Sequence, residues 1–396
     1  MNETMTSLKQ AAIDWRLVLM STVLVAVAVV FNVLSEGIFL SPENLYNIAQ
    51  QTAVVGIVST VVVLVIVARH IDLSVGSVMG FVGVLIATLM YSKGWSWIEA
   101  SLAGLALAIL VSVYQGALTA MLGVPSFVVT LGGLMSFRGA AFLVADGKTQ
   151  PVNDAFFQRF GGGYDGSIGV TASWLVAAAM CVALIWVTYR KRAANETYGV
   201  PNNPLWLDAC IALVPVLIVL VFTATMNAYQ IPNKSAPQGI PVPVLIWAAV
   251  ALFMSFIVHR TRFGRYVYAM GGNPEAAALV GIPVRRVTLM LFALMGALIA
   301  IASIVSIARL NAGTNSLGTG MELYVIAAAV IGGTALAGGS GSILGSVLGA
   351  LIMQSIDSGL LLLDIPIGWR YVIIGQVLIA AVVFDVVYRR VTGDTT

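Results

Sequence analysis

Residues 259–286 read HRTRFGRYVYAMGGNPEAAALVGIPVRR, a long polar interruption in a strongly apolar chain. The segment is basic at both ends, and its middle carries start and stop signals for a short helix. Asn273 suits an N-cap, Pro274 the first helical position, and Glu275 places negative charge in the first turn. Ala276, Ala277, Ala278, Leu279 and Val280 continue the helix, Gly281 supplies a C′ residue, and Pro283 forbids resumption. At 1.5 Å per residue such a helix is roughly 10 Å long, about a third of a bilayer core. It cannot span. It is expected to lie outside the lipid and offer a small surface to a partner.

Composition supplies the bilayer. The chain has 396 residues, 59% hydrophobic and only 9% charged, whereas a soluble domain carries about 25% charged residues. Its apolar runs are about 17–24 residues long, the length of spanning helices, and lack the alternation of an outer-membrane barrel strand. The expected class is an all-α polytopic integral membrane protein with 10–12 transmembrane helices, some broken or re-entrant. Candidate spans cover 16–34, 45–68, 74–91, 98–121, 125–145, 172–189, 207–226, 243–258, 287–307, 322–337, 343–362 and 370–388. Residues 1–15 form a polar N-terminal segment, 16–388 the membrane domain, and 389–396 a tail. The first fifteen residues lack the pattern of a cleaved signal peptide, so the first span is expected to direct insertion.

Charge placement orients these spans. An inward N-terminus puts Arg69 and His70, Arg190 to Arg192, the 259–286 loop, and Arg389 and Arg390 on one side. Lys93, the 146–171 loop and Lys234 fall on the other. Basic clusters mark the cytoplasmic side, so both termini and the 259–286 loop are expected there. The net charge of +3 shows no basic patch outside these loops, which argues against nucleic acid as a partner.

Two stretches look like breaks inside the membrane. After Arg69 the chain reads IDLSVGSVMGFVG, and from Ile331 it reads IGGTALAGGSGSILGSVLGA, including Gly338, Gly339 and Gly341. Gly76-Ser77-Val78-Met79-Gly80 matches Gly341-Ser342-Ile343-Leu344-Gly345 in pattern. This weak internal repeat fits a transporter built from structural repeats, or two independent faces for close helix packing. Asp72 could cap the donors from Ser74 onwards, or carry charge beside a pathway. Glu322 suits a first-turn charge, and Arg138 is expected to snorkel to the external interface. Gln354, Asp357 and Gln376 could line an interior path or pair with one another.

Motifs for covalent chemistry fail on inspection. Gly147-Lys148-Thr149 ends like a phosphate-binding loop, but Phe142 stands where the leading glycine belongs. Gly161 to Gly166 satisfies a dinucleotide pattern without the strand and helix it needs. His70 and His259 have no ligand partners at metal spacing, and Cys181 and Cys210 lie in or beside apolar segments as packing residues. No catalytic role, cofactor or metal is expected in this chain.

The stretches Ile71–Ser77, Val124–Gly133 with Phe137-Arg138-Gly139, Thr261–Ile282 and Ile331–Ser342 together resemble the bacterial sugar-uptake ABC permeases. These are the membrane subunits of ribose-, galactoside- and xylose-type importers. An additional hydrophobic pair at about 172–226 resembles the xylose type, which makes D-xylose the expected cargo. The resemblance implies a place in the bacterial inner membrane and a second permease copy. It also implies two ATP-hydrolysing subunits that use ATP and Mg, and a periplasmic sugar-binding protein. It further implies that Gly271, Gly272, Asn273, Pro274, Glu275, Ala276, Ala277 and Gly281 belong to the coupling helix that rests on the ATPase. Asp72, Ser74, Gly76, Ser77, Gly338, Gly339 and Gly341 stand as candidates for a helix break or pathway. Ribose, galactose or another small sugar remains an alternative cargo. An ion-coupled secondary transporter would need more intramembrane charges than Asp72 supplies, and a membrane-embedded transferase would need clustered catalytic groups.

Overall fold

The computed structural model describes residues 15–163, 166–200, 202–230 and 236–392. Residues 1–14, 164–165, 201, 231–235 (Lys234 among them) and 393–396 lie outside the described part. In chain order the helices begin with α1 (Trp15–Leu34), α2 (Pro42–Val67), α3 (Val75–Lys93), α4 (Trp97–Leu122) and α5 (Ser126–Val144). A two-residue strand β1 (Gln150–Pro151) and a short α6 (Ala155–Gln158) come after them, then α7 (Gly169–Thr197), α8 (Leu205–Ala228) and α9 (Val242–Arg260). Next come α10 (Arg262–Gly272), α11 (Pro274–Leu279), α12 (Val284–Leu310), β2 (Ala312–Gly313), α13 (Met321–Ile331), α14 (Ile343–Leu362) and α15 (Ile367–Thr392). Among the described residues, eleven helices are long and apolar enough to cross a membrane. The chain is a multi-pass membrane protein.

Helix α2 is the axis of the bundle. Ser41 accepts from the Asn44 N–H, Pro42 occupies the first turn, and Glu43 adds a favourable charge there. A run of Val, Ile and Leu then fills every face, and 94% of its span is buried against α9, α12, α13 and α14. A helix apolar all round belongs in a core. The opposite case is α1, also apolar all round but only 6% buried, which leaves lipid as its solvent. The α7–α8 hairpin is likewise peripheral. It closes on itself through Arg192 Nη1–Asp208 Oδ2 at 2.8 Å and joins α2 through Tyr46, Met226 and Ile240.

The two membrane sides can be told apart by contact. On one side, Arg16 at the start of α1 donates to Gly333 O at 2.9 Å and to Asp385 of α15 at 2.8 Å. The α10–α11 elbow lies on this same side, because Tyr268 donates to Gly341 O at 2.7 Å. The start of α1 and the end of α15 therefore share the elbow side. On the far side, β1 pairs antiparallel with β2, and Ser358 of α14 donates to Asn44 of α2 at 2.9 Å.

The span expected over 322–337 takes a different form. Helix α13 has only 11 residues, about 16 Å or half a bilayer core. The other half of this crossing is non-helical chain, the two strand residues Ala312–Gly313 followed by turns over 315–320. From α12 on the far side, residues 311–320 run back down α3, with Gly313 against Gly83 and Ala87, Leu317 against Gly80 and Gly83, and Gly318 against Gly76. From Ala87 to Gly76 is about 17 Å of helix, so α13 begins in mid-membrane. The physical reason is glycine: α3 offers a groove without side chains at Gly76, Gly80 and Gly83, and the non-helical chain fills it.

Close approach also governs α13 against α14, where a methyl on Gly349 would overlap the Ala328 carbonyl oxygen. Gly349→Ala should destabilise the protein by about 1–3 kcal/mol as an overpacked core. Gly375→Ala, with nothing near the added methyl, should be neutral or slightly stabilising. Thermal denaturation of the two variants in detergent checks this pair.

Candidate functional site

The elbow is a pair of helices rather than a polar loop around one helix. In α10, Gly264, Val267, Met270 and Gly271 are buried at helical spacing while Arg262 and Arg265 are exposed, so α10 lies along the bundle. Thr261 caps it by accepting from the Gly264 N–H at 3.1 Å. Asn273 ends α10 and caps α11 at once, accepting from the Ala276 N–H at 3.0 Å. Pro274 occupies the first turn and Glu275 carries its charge. Gly281 takes a left-handed φ of +86°, and its N–H closes on Ala278 O at 3.0 Å. At the tip, Leu279 is 89% and Val280 77% exposed, while Ala277 anchors the opposite face in the core.

Both breaks bear on this elbow. Arg69, just past the end of α2, donates from Nε to Gly271 O and from Nη2 to Gly272 O, each at 2.7 Å. These carbonyls end α10 and have no helical partners of their own, and a guanidinium meets them with charge-assisted bonds. To reach them Arg69 adopts a left-handed φ of +63°, which costs a non-glycine residue about 1–2 kcal/mol. The 332–342 break packs on the same spot. The Gly339 N–H donates to Val67 O at 2.9 Å, and any side chain on Gly338 (φ +90°) would meet Arg69. Tyr268 holds Gly341 O, and burial pushes its hydroxyl up to about 12, so it remains a donor at physiological pH. Gly338, Gly339 and Gly341 are thus separated from Asp72, Ser74, Gly76 and Ser77, with which the sequence grouped them. They belong to the elbow's seat.

The second cluster lies deeper, where residues 70–74 re-enter beside α5. The Ile71 and Leu73 N–H groups donate to Ser126 Oγ and Thr130 Oγ1, both at 3.1 Å. Asp72 Oδ1 accepts from the Ser74 N–H at 2.8 Å and from its hydroxyl at 2.7 Å, which forms the turn into α3. Ser77 donates back to Ser74 O at 2.8 Å. Gln115 of α4 bonds Ser74 at 2.9 Å, in space left by Gly133 of α5. Asp72 is only 3% exposed, and its second oxygen has no partner. Gly76 leaves room for Gly318 and for the Glu322 carboxylate, whose Oε2 is also unpartnered. Arg138 does not snorkel outward. Its Nη1 donates to Asn315 O at 3.0 Å and Leu317 O at 2.7 Å, and its charge acts on Glu322. The two re-entrant segments meet here.

Residues such as Arg69 and Tyr268 carried no sequence signal of these roles, since their partners lie far along the chain. Gln354 and Asp357 pair within the bundle: Gln354 reaches Gln51 at 2.7 Å, and Asp357 binds Arg370 at 2.7 Å and Tyr324 at 3.0 Å. Gln376 is exposed and outside that group. Among the described residues no three His, Cys, Asp or Glu side chains come together to hold a metal.

Comparison with known proteins gives a consistent picture. A family model described as the branched-chain amino acid transport system / permease component matches residues 44–382. The xylose transport system permease protein of Escherichia coli (strain K12) is 35% identical over 379 residues, covering 96% of this chain and 94% of that protein. Its counterpart in Haemophilus influenzae is 38% identical over 365 residues, covering 91% and 94%. The ribose import permease protein of Escherichia coli (strain K12) is 31% identical over 362 residues, covering 91% of each. No solved structure matches the chain.

Neighbouring glycines at the elbow should respond differently to one methyl. At Gly271 it would overlap Val67 O, whereas at Gly272 it meets nothing. Gly271→Ala should speed amide hydrogen exchange across 262–281, and Gly272→Ala should leave it within about twofold of wild type. Exchange measured by mass spectrometry on the two variants checks the elbow's seating.

Proposed function

The chain belongs to the branched-chain amino acid transport system / permease component family, and on that premise we propose that it is the membrane-spanning subunit of an ATP-driven sugar importer. D-Xylose is the proposed cargo. What supports a sugar over an amino acid is that the relatives named for xylose and ribose match more than nine-tenths of this chain. The chain is a transport subunit rather than an enzyme. ATP and Mg are used by two copies of a separate ATPase, a second permease copy completes the pathway, and a periplasmic binding protein delivers sugar.

The elbow faces the cytoplasm in this reading. Arg260, Arg262, Arg265, Arg285 and Arg286 are all exposed there, which fits the positive-inside rule. The start of α1 and the end of α15 share that side of the bacterial inner membrane, and the β1–β2 side faces the periplasm. The observation that carries the coupling role is the exposed Leu279–Val280 tip on a helix capped at both ends. An exposed apolar pair on a rigid support is what a groove in a partner takes up.

ATP binding would draw the two ATPases together and push both elbows. Arg69 and the Gly339–Val67 bond pass that displacement to the 68–74 and 332–342 breaks. Helices α3 and α14 start directly after those breaks, so both move with the elbow and tilt the pathway between outward- and inward-open arrangements. ATP drives the change only through its different affinity for the two states of the ATPase.

Leu279→Asp puts a charge on the tip without touching the bundle. It should lower D-xylose uptake at least tenfold and reduce ATPase co-purification, with insertion into the membrane unchanged. Wild-type uptake should require the ATPase and survive collapse of the proton and sodium gradients. Labelled-xylose uptake in cells lacking this chain, rescued with and without the neighbouring ATPase, reads both outcomes.

A further inference from the structure

The meeting point of the two re-entrant segments has a chemical bias that packing does not explain. Three acceptors there lack donors: Asp72 Oδ2, Glu322 Oε2 and the side-chain oxygen of Asn315. An unpartnered buried acceptor is costly, more so when charged, and one place holds three. Asp72 forms the turn that opens α3, four residues before Gly76, over which Glu322 Oε2 sits. Asn315 is joined to the same place through Arg138, which binds its carbonyl oxygen and acts electrostatically on Glu322, as does Asp72. Arg138 is the cation of the group, and its Nη1 is committed to backbone carbonyls.

The surroundings add a second observation. The segment is exposed at Ser316 and Thr319, although it lies in a groove about 17 Å down α3 from Ala87. Lipid-facing backbone of irregular form is not tolerated at that depth, so such a segment lines a path or a partner's surface. Hydroxyl groups beside unpaired carboxylate oxygens form an acceptor-rich wall. Its complement is a neutral molecule with several O–H donors.

We propose that Asp72, Glu322 and Asn315 form a transient binding station for a polyol inside the membrane, accepting hydrogen bonds from its hydroxyl groups as it crosses. The proposal rests on the reading of the chain as a sugar permease and adds a cargo contact to it. The Ser74 turn uses only Oδ1 of Asp72, which leaves Oδ2 for the cargo. Arg138 offsets at Glu322 the repulsion from Asp72 when the station is empty.

The test uses the complete transporter, with its ATPase and binding protein, in proteoliposomes supplied with saturating labelled D-xylose. Asp72→Asn keeps an oxygen for Ser74 but turns the free acceptor into a donor, and Glu322→Gln does the same at its position. Each should lower turnover at least tenfold while assembly with the ATPase and ATP hydrolysis without sugar stay near wild type. Monodeoxy-xyloses report on the contact itself. The deoxy sugar lacking the hydroxyl that meets a given acceptor should lose at least tenfold against D-xylose in wild type, and that discrimination should vanish in the matching variant. Unchanged turnover in both variants, or deoxy discrimination identical in wild type and variants, overturns the station. Uptake that needs sodium in wild type but not in the variants also overturns it, in favour of a cation site. If wild type moves no xylose or any other sugar under these conditions, the parent reading fails first; if wild type moves xylose and the variants do too, only the station fails.

Discussion

Inside a bilayer, a backbone group that leaves a helix has no water to turn to and must find its partner in the protein. Three non-helical segments among the described residues, 70–74, 311–320 and 332–342, are each held by side chains or backbone from a distant segment. Residues 70–74 lean on Ser126 and Thr130. The 332–342 break leans on Val67 and Tyr268. The 311–320 chain leans on Arg138. Because the partners sit on other helices, α5 for two of the breaks and α2 and α10 for the third, satisfying the breaks also fixes how the helices pack.

Arg69 carries this constraint furthest. It accepts a strained backbone so that its guanidinium can close the end of α10. Gly271 then packs directly on the Val67 carbonyl, and Gly338 leaves the space that the Arg69 side chain fills. Elbow, α2 terminus and second break share one hydrogen-bonded node. A push on the elbow has no flexible loop in which to dissipate, since packed interiors transmit displacement rather than absorb it.

Polar groups within the bundle divide into two kinds. Around Asp357, both carboxylate oxygens meet donors: Arg370 and Tyr324 reach Oδ1, Gln354 reaches Oδ2, and Gln354 also binds Gln51. This network pins α14 to α2, α13 and α15. Around Asp72 and Glu322, one oxygen of each carboxylate is left over. The first arrangement is structural cement, and the second leaves acceptors open to hydrogen-bond donors.

The sequence by itself determined the class and the local devices. Uncharged runs of spanning length dictate helices in lipid wherever they occur, and Asn273, Pro274 and Gly281 set the ends of α11 through bonds to their own neighbours. Resemblance in four scattered motifs pointed to the family that the comparisons then gave. Only the tertiary structure decided where α13 starts, because residues 311–320 contain no signal that α3 carries a glycine groove to receive them. It alone placed Gly338 to Gly341 under the elbow, and turned Arg138 inward from the interface its position suggested. The division has a physical cause. Caps, turns and hydrophobic runs are satisfied within a few residues, so they can be read locally. The partners of Arg69, Arg138 and Glu322 lie far away in the chain, and only folding brings them within hydrogen-bonding or electrostatic reach.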